Sequence, residues 1–129
     1  MEIKENKMLK IDTETMTISM TKGDAEYIVF SAEDDEGQAY VPVAGDKLKF
    51  GVAKKVDTEP IFQIENTMDD DAEEFWTIEI KPEHTRDMKI IEDGYAFDVE
   101  LMTSTGPDTI IGETDTVHPK FILWGDVAK

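Results

Sequence analysis

Asp93-Gly94-Tyr95-Ala96-Phe97-Asp98-Val99-Glu100-Leu101 is the stretch whose reading decides the fold. Tyr95, Phe97, Val99 and Leu101 fall on one side of an extended chain, and Asp98 and Glu100 fall on the other. A period of two is the signature of a strand with one buried face. Glu92-Asp93-Gly94 supplies a turn just before it, because glycine reaches positive φ without a steric penalty. A tyrosine at the head of such a strand also fits a tyrosine corner, in which the phenol hydroxyl ties back to the preceding loop.

The same period recurs along the chain. Thr15 to Met20 alternates, with Met16, Ile18 and Met20 on one face. Lys22-Gly23-Asp24 turns the chain into Glu26–Ser31, a β-branched and aromatic run. After the polar loop 32–39, Gly45-Asp46 opens Lys47–Val52, where Leu48, Phe50 and Val52 lie opposite the lysines. Ile61–Ile64 follows Pro60, Thr67 to Glu74 is a charged loop, and Phe75–Ile80 sets Trp76, Ile78 and Ile80 on one side. Pro82 suits the first position of a helical turn, so a single turn is predicted over 82–86. Gly106-Pro107-Asp108 reads as a hairpin turn into Thr109-Ile110-Ile111, and Phe121–Trp124 is the last strand.

Turn signals every 8–12 residues or so, with no stretch holding a helical stripe, predict an all-β protein. The expected fold is an immunoglobulin-like antiparallel β-sandwich of about seven to nine strands with one short helical turn. Its expected core is Ile18, Val29, Leu48, Phe50, Val52, Trp76, Ile78, Tyr95, Phe97, Val99, Leu101 and Phe121. Residues 1–8 are read as a flexible arm or an added edge strand, and residues 9–129 as one sandwich domain. The 129 residues, 40% of them hydrophobic, suffice for one core and not for two.

Charge is the outlying property. Thirty acids against thirteen bases leave −17, with 13 acids and 8 bases in residues 1–64 and 17 and 5 in the remainder. A chain of that sign repels nucleic acids and anionic membranes. Neither partner is expected. MEIKENKMLK has no apolar stretch of signal-peptide length, and no apolar run is long enough for a membrane-spanning helix.

No constellation of catalytic groups stands out, and the chain is not read as an enzyme. With no cysteine there is no thiolate chemistry. His84 and His118 share no metal-ligand spacing, and Ser19, Ser31 and Ser104 sit in no nucleophile turn. Glu33-Asp34-Asp35-Glu36 and Asp69-Asp70-Asp71 with Glu73-Glu74 are candidates for calcium, yet they lack the spaced oxygen ligands of a calcium loop and read better as solvated loop charge. No cofactor or metal is therefore assigned. Met68 and Trp124 lie beside loop or terminal segments and would mark a partner surface if exposed.

Several segments in order carry a resemblance. They are Thr21-Lys22-Gly23-Asp24 with Tyr27-Ile28-Val29-Phe30, then Gly45 to Lys55, Ile78 to Thr85, Asp93 to Leu101, Asp108 to Ile111, and Phe121 to Trp124. Over residues 9–125 the chain resembles small structural proteins of phages and prophages of Gram-positive hosts. The nearest family is the N-terminal domain of the phage baseplate upper protein, an immunoglobulin-like β-sandwich. The resemblance implies a virion component assembled in the host cytoplasm, docking onto other tail or baseplate proteins, with a homo-oligomer open. It transfers no functional residue. Two other readings come from charge: an acidic inhibitor that imitates DNA to occupy a host protein, and a calcium-dependent binding module using the loops at 33–36 and 69–74.

Overall fold

The computed structural model describes residues 2–4, 9–31, 38, 40–68, 75–104 and 106–125. Among the described residues, ten strands and one helical turn follow one another: β1 (Glu2–Lys4), β2 (Lys10–Asp12), β3 (Thr17–Thr21), β4 (Glu26–Ser31), β5 (Lys47–Ala53), β6 (Pro60–Thr67), β7 (Trp76–Ile80), α1 (Pro82–Thr85), β8 (Tyr95–Thr103), β9 (Gly106–Ile111) and β10 (Lys120–Trp124). They form two sheets. The smaller has the order β1-β4-β7, and the larger has the order β2-β3-β10-β8-β5-β6, with β9 also beside β8.

The result is an all-β arrangement of two sheets, like a sandwich. Successive connections cross between the sheets: β3 to β4, β4 to β5, β6 to β7 and β7 through α1 to β8. The strands outnumber the expectation for two reasons. The N-terminal segment adds β1 as an edge strand antiparallel to β4, and β2 pairs with β3. The second is that this same segment supplies two strands, β1 and β2, where one arm or edge strand was expected; β9 and β10 fall where strands were expected and pair with different halves of β8. One pair departs from the antiparallel expectation, since β10 runs parallel to β3 from Lys120↔Thr17 to Trp124↔Thr21.

Alternating residues build the core. Phe50 on β5 sits in the middle, its ring centroid 6.3 Å from Phe30, 6.3 Å from Phe62, 5.6 Å from Phe97 and 6.2 Å from Phe121. Phe30 belongs to the smaller sheet and the other three to the larger, so this cluster joins the two layers. Eleven of the twelve expected core residues are buried. Val29 is the correction: it is only partly buried, while Ile28 and Phe30 on either side are fully enclosed. Every residue from Tyr27 to Phe30 is apolar or aromatic, so periodicity cannot tell the faces of β4 apart. Pairing with β7 does so, setting Ile28 opposite Ile78 and Phe30 opposite Trp76.

Two local boundaries also differ from the sequence reading. Met16 has φ 55° and belongs to the turn before β3, where it is partly buried. Gly106 is already paired with Thr103, so it opens β9 and lies beyond the turn. Other turns match. Gly94 has φ 76°, its N–H donates to the Ile91 carbonyl at 3.0 Å, and a Cβ there would lie 2.8 Å from Ile122 Cγ1 and 3.1 Å from the Phe121 carbonyl oxygen. Only glycine fits both the torsion and the space. One residue on, the Tyr95 hydroxyl donates to the Lys89 carbonyl at 2.5 Å, which is a tyrosine corner.

The remaining turns are tied by side chains. Thr85 of α1 is fully buried and its Oγ1 accepts the Gly23 N–H at 2.8 Å, anchoring the β3–β4 turn to α1. Across the other open side, Asn66 Nδ2 of β6 donates to the Thr77 carbonyl of β7 at 2.7 Å. Among the described residues, no helix is long and apolar enough to cross a membrane.

Glu26 is an acid on an inward position at the head of β4. It is 4% exposed, and its Oε2 has no hydrogen-bond partner. Burial, and secondarily the charge of Asp24, push its carboxyl above the ordinary glutamate value. A raised carboxyl favours the protonated fold. Its stabilising contribution is complete below the unfolded value and is lost as the pH rises through the folded one. Glu26→Met should therefore melt higher than the parent at neutral pH, by an amount on the order of 1 kcal/mol or a few degrees. The gap should narrow on acidification. Exposed Glu59→Gln controls for general charge repulsion, and an equal gain there would remove the special role of Glu26.

Candidate docking surface

Strand pairing determines what the outer face of the larger sheet presents. Leu48, Phe50 and Val52 point inward on β5, which leaves Lys47, Lys49, Gly51 and Ala53 outward. On β8 the outward residues are Ala96, Asp98, Glu100 and Met102. The register sets Lys49 opposite Glu100, Gly51 opposite Asp98 and Ala53 opposite Ala96. Lys49 Nζ and Glu100 Oε2 lie 3.9 Å apart, a partly exposed and therefore weak ion pair.

Beside that pair the face is hollow. Gly51, Ala53 and Ala96 have little or no side chain, and a trough of about 150 Å³ opens over them, walled by Asp98, Gln63 and Val56. A Cβ on Gly51 would lie 3.2 Å from Asp98 Oδ1, so the carboxylate leans over the glycine. Partial burial, and secondarily Glu100, raise the Asp98 carboxyl above its ordinary value, with Lys49 opposing them. Asp98 makes no hydrogen bond or ion pair among the described residues.

Exposed apolar side chains border this face. Val56 and Ile61 flank the β5–β6 hairpin. Trp124, 41% exposed at the end of β10, and Ile90 stand at the other end, where Ile90 Cδ1 lies 3.2 Å from the position of a Cβ on Gly125. Met68, the other candidate for a partner surface, is buried. A second depression, lined by Met16, Ile110, Ile111 and Val117, runs along β9, with which only β8 pairs among the described residues. On the smaller sheet, exposed Tyr27 donates to Glu79 Oε2 at 3.1 Å.

The other candidates are not brought together. His84 stacks on Phe62 at 5.1 Å, and its Nδ1 accepts the Lys81 N–H at 2.8 Å, which holds the start of α1. His118 is exposed and bonded through Nδ1 to Glu113. Ser19 lies on β3, Ser31 ends β4 and Ser104 sits in the β8–β9 turn, and no hydrogen bond joins them to a histidine among the described residues. No group of three or more histidine or acidic side chains that could hold a metal occurs among the described residues. Glu33–Glu36 and Asp69–Asp71 with Glu73-Glu74 lie outside the described residues.

The trough was not a sequence candidate. The available signal was Gly51 itself, because a glycine inside an alternating strand marks a bulge or a close approach. Comparison with known protein families, with curated proteins and with solved structures finds no match.

Proposed function

We propose that this chain is a non-enzymatic structural protein of a phage or prophage tail or baseplate, working by docking onto neighbouring virion proteins. The observation that carries the reading is the outer face of the larger sheet, where a hollow over Gly51 is bordered by exposed Val56 and Ile61, with Trp124 and Ile90 at the far end. Rigidity supports it: the tyrosine corner, the Thr85–Gly23 link and the Phe50 cluster hold that face in one shape, so little ordering cost accompanies binding. The ordered resemblance to the baseplate upper protein's N-terminal domain supplies the kind of partner.

Mass spectrometry of purified particles, after induction of the source strain's prophage, tests it. The expected result is this chain at a fixed copy number relative to tail proteins. Its absence from intact particles while abundant in the lysate would overturn the reading. That second result favours an acidic inhibitor of a host protein, the alternative supported by the net charge of −17. A complex held by that charge over the whole surface weakens far more steeply with ionic strength than one held mainly by apolar docking.

A further inference from the structure

We propose that the trough over Gly51 receives an arginine side chain from a basic segment of the docking partner. The inference rests on the docking reading and specifies what the face recognises. Three observations lead to it.

The first is size. A hollow of about 150 Å³ matches cavities that admit one benzene-sized group, enough for a single side-chain head and not for a cofactor. The second is charge. The trough is lined by Asp57, Asp98, Glu100 and Glu113 against Lys49 and Lys55. Lys49 faces Glu100 and Glu113 is bonded to His118, which leaves Asp57 and Asp98 without an ion pair among the described residues, and of the two it is Asp98 whose Oδ1 reaches over Gly51. The third is shape. Gly51 and the two alanines leave the floor between β5 and β8 without large side chains, with Asp98 Oδ1 reaching over Gly51 from one side, and a planar guanidinium can lie against such a floor with its N–H edge toward that carboxylate. The guanidinium is also more weakly hydrated than an ammonium, so it enters a partly buried site at lower cost.

Charge complementarity selects the occupant. A second copy of this chain carries another −17, and its single arginine, Arg86, is exposed on the segment after α1. Two such surfaces repel, so the arginine comes from a different, basic protein.

The test uses the whole chain, labelled with ¹⁵N, titrated with N-acetylarginine amide, its neutral isostere N-acetylcitrulline amide, and N-acetyllysine amide. Expected are shift changes centred on Gly51, Ala53, Ala96 and Asp98 with the arginine probe, weaker ones with lysine and none with citrulline. Asp98→Asn should weaken the arginine response by about tenfold, the loss of one charge-assisted contact. Gly51→Ala should fill the floor and weaken it likewise. A Cβ there lies 3.2 Å from Asp98 Oδ1, so the exposed carboxylate must swing aside; with no left-handed torsion at Gly51, the fold should be retained and the melting temperature should change little.

Changes spread evenly over the acidic surface, an equal response to citrulline, or indifference to Asp98→Asn would overturn the proposal. Its failure is separable from that of the docking reading. Presence in particles with a silent trough removes the arginine site alone. A trough response with absence from particles removes the virion role alone.

Discussion

Phe50→Ala is expected to destabilise the protein by about 3–5 kcal/mol, enough to lower its melting temperature by more than about 10 °C. The ring touches four other phenylalanines, three on its own sheet and Phe30 on the opposite one. Its removal takes away the apolar transfer term and also leaves a hole between the layers. Phe62 and Phe97, on the neighbouring strands β6 and β8, cannot collapse into that hole without disturbing the β5–β6 and β5–β8 ladders. Phe50→Leu retains most of the volume and should lose less than half as much. Paired chemical and thermal denaturation checks this. An alanine variant melting within a few degrees of the parent would mean that Phe50 is not the join between the sheets.

Asp46→Ala is expected to cost about 3 kcal/mol, through hydrogen bonds rather than apolar packing. Asp46 is 3% exposed at the entry to β5. Its Oδ2 accepts the Tyr40 hydroxyl at 2.6 Å and the Val43 N–H at 3.1 Å, while its backbone carbonyl accepts the Met68 N–H at 2.7 Å. Alanine keeps the backbone bond and strands two donors. Tyr40→Phe removes one donor together with its partner's bond and should cost less than Asp46→Ala. A double-mutant cycle should give a coupling of about 1–2 kcal/mol.

The alkaline limb provides an independent check. The bond to Asp46, and secondarily burial, push the Tyr40 phenol up to about 12. A raised folded value means that the contribution is complete below the unfolded tyrosine range, near ~10, and disappears as the pH rises through the folded one. The parent should lose stability across that window, and Tyr40→Phe should lack the Tyr40 part of the loss. Identical alkaline profiles would show that the pair does not hold the loop.

Legibility differed by residue for physical reasons. Tyr95 through Leu101 could be read because polar and apolar side chains strictly alternate, so the buried face follows from the strand period alone. The corner at Gly94 and Tyr95 was only one of two readings, because a tyrosine at a strand start can also sit there for the packing of its ring, and the hydroxyl's bond to the Lys89 carbonyl decides between them. Val29 could not be read, because its neighbours are apolar too and the face was settled only by β7. Met68 looked like a loop residue, yet Met68 N–H and its carbonyl are engaged by Asp46 and Gly45 and the side chain is buried. Glu26 looked like a polar strand start, and only the packed sandwich turns it inward.

The sequence by itself determined that the chain is all-β, where most strands and turns lie, which residues form most of the core, and that the surface is strongly acidic. These are properties of local backbone chemistry and of a two-residue period, so short windows carry them. Only the tertiary structure decided that β10 lies parallel to β3, that β1 edges the smaller sheet, and that Gly51 faces Asp98 across two strands. Those pairings join residues dozens of positions apart. They are selected by how whole faces fill one another, and the hollow over Gly51 exists only once that selection is made.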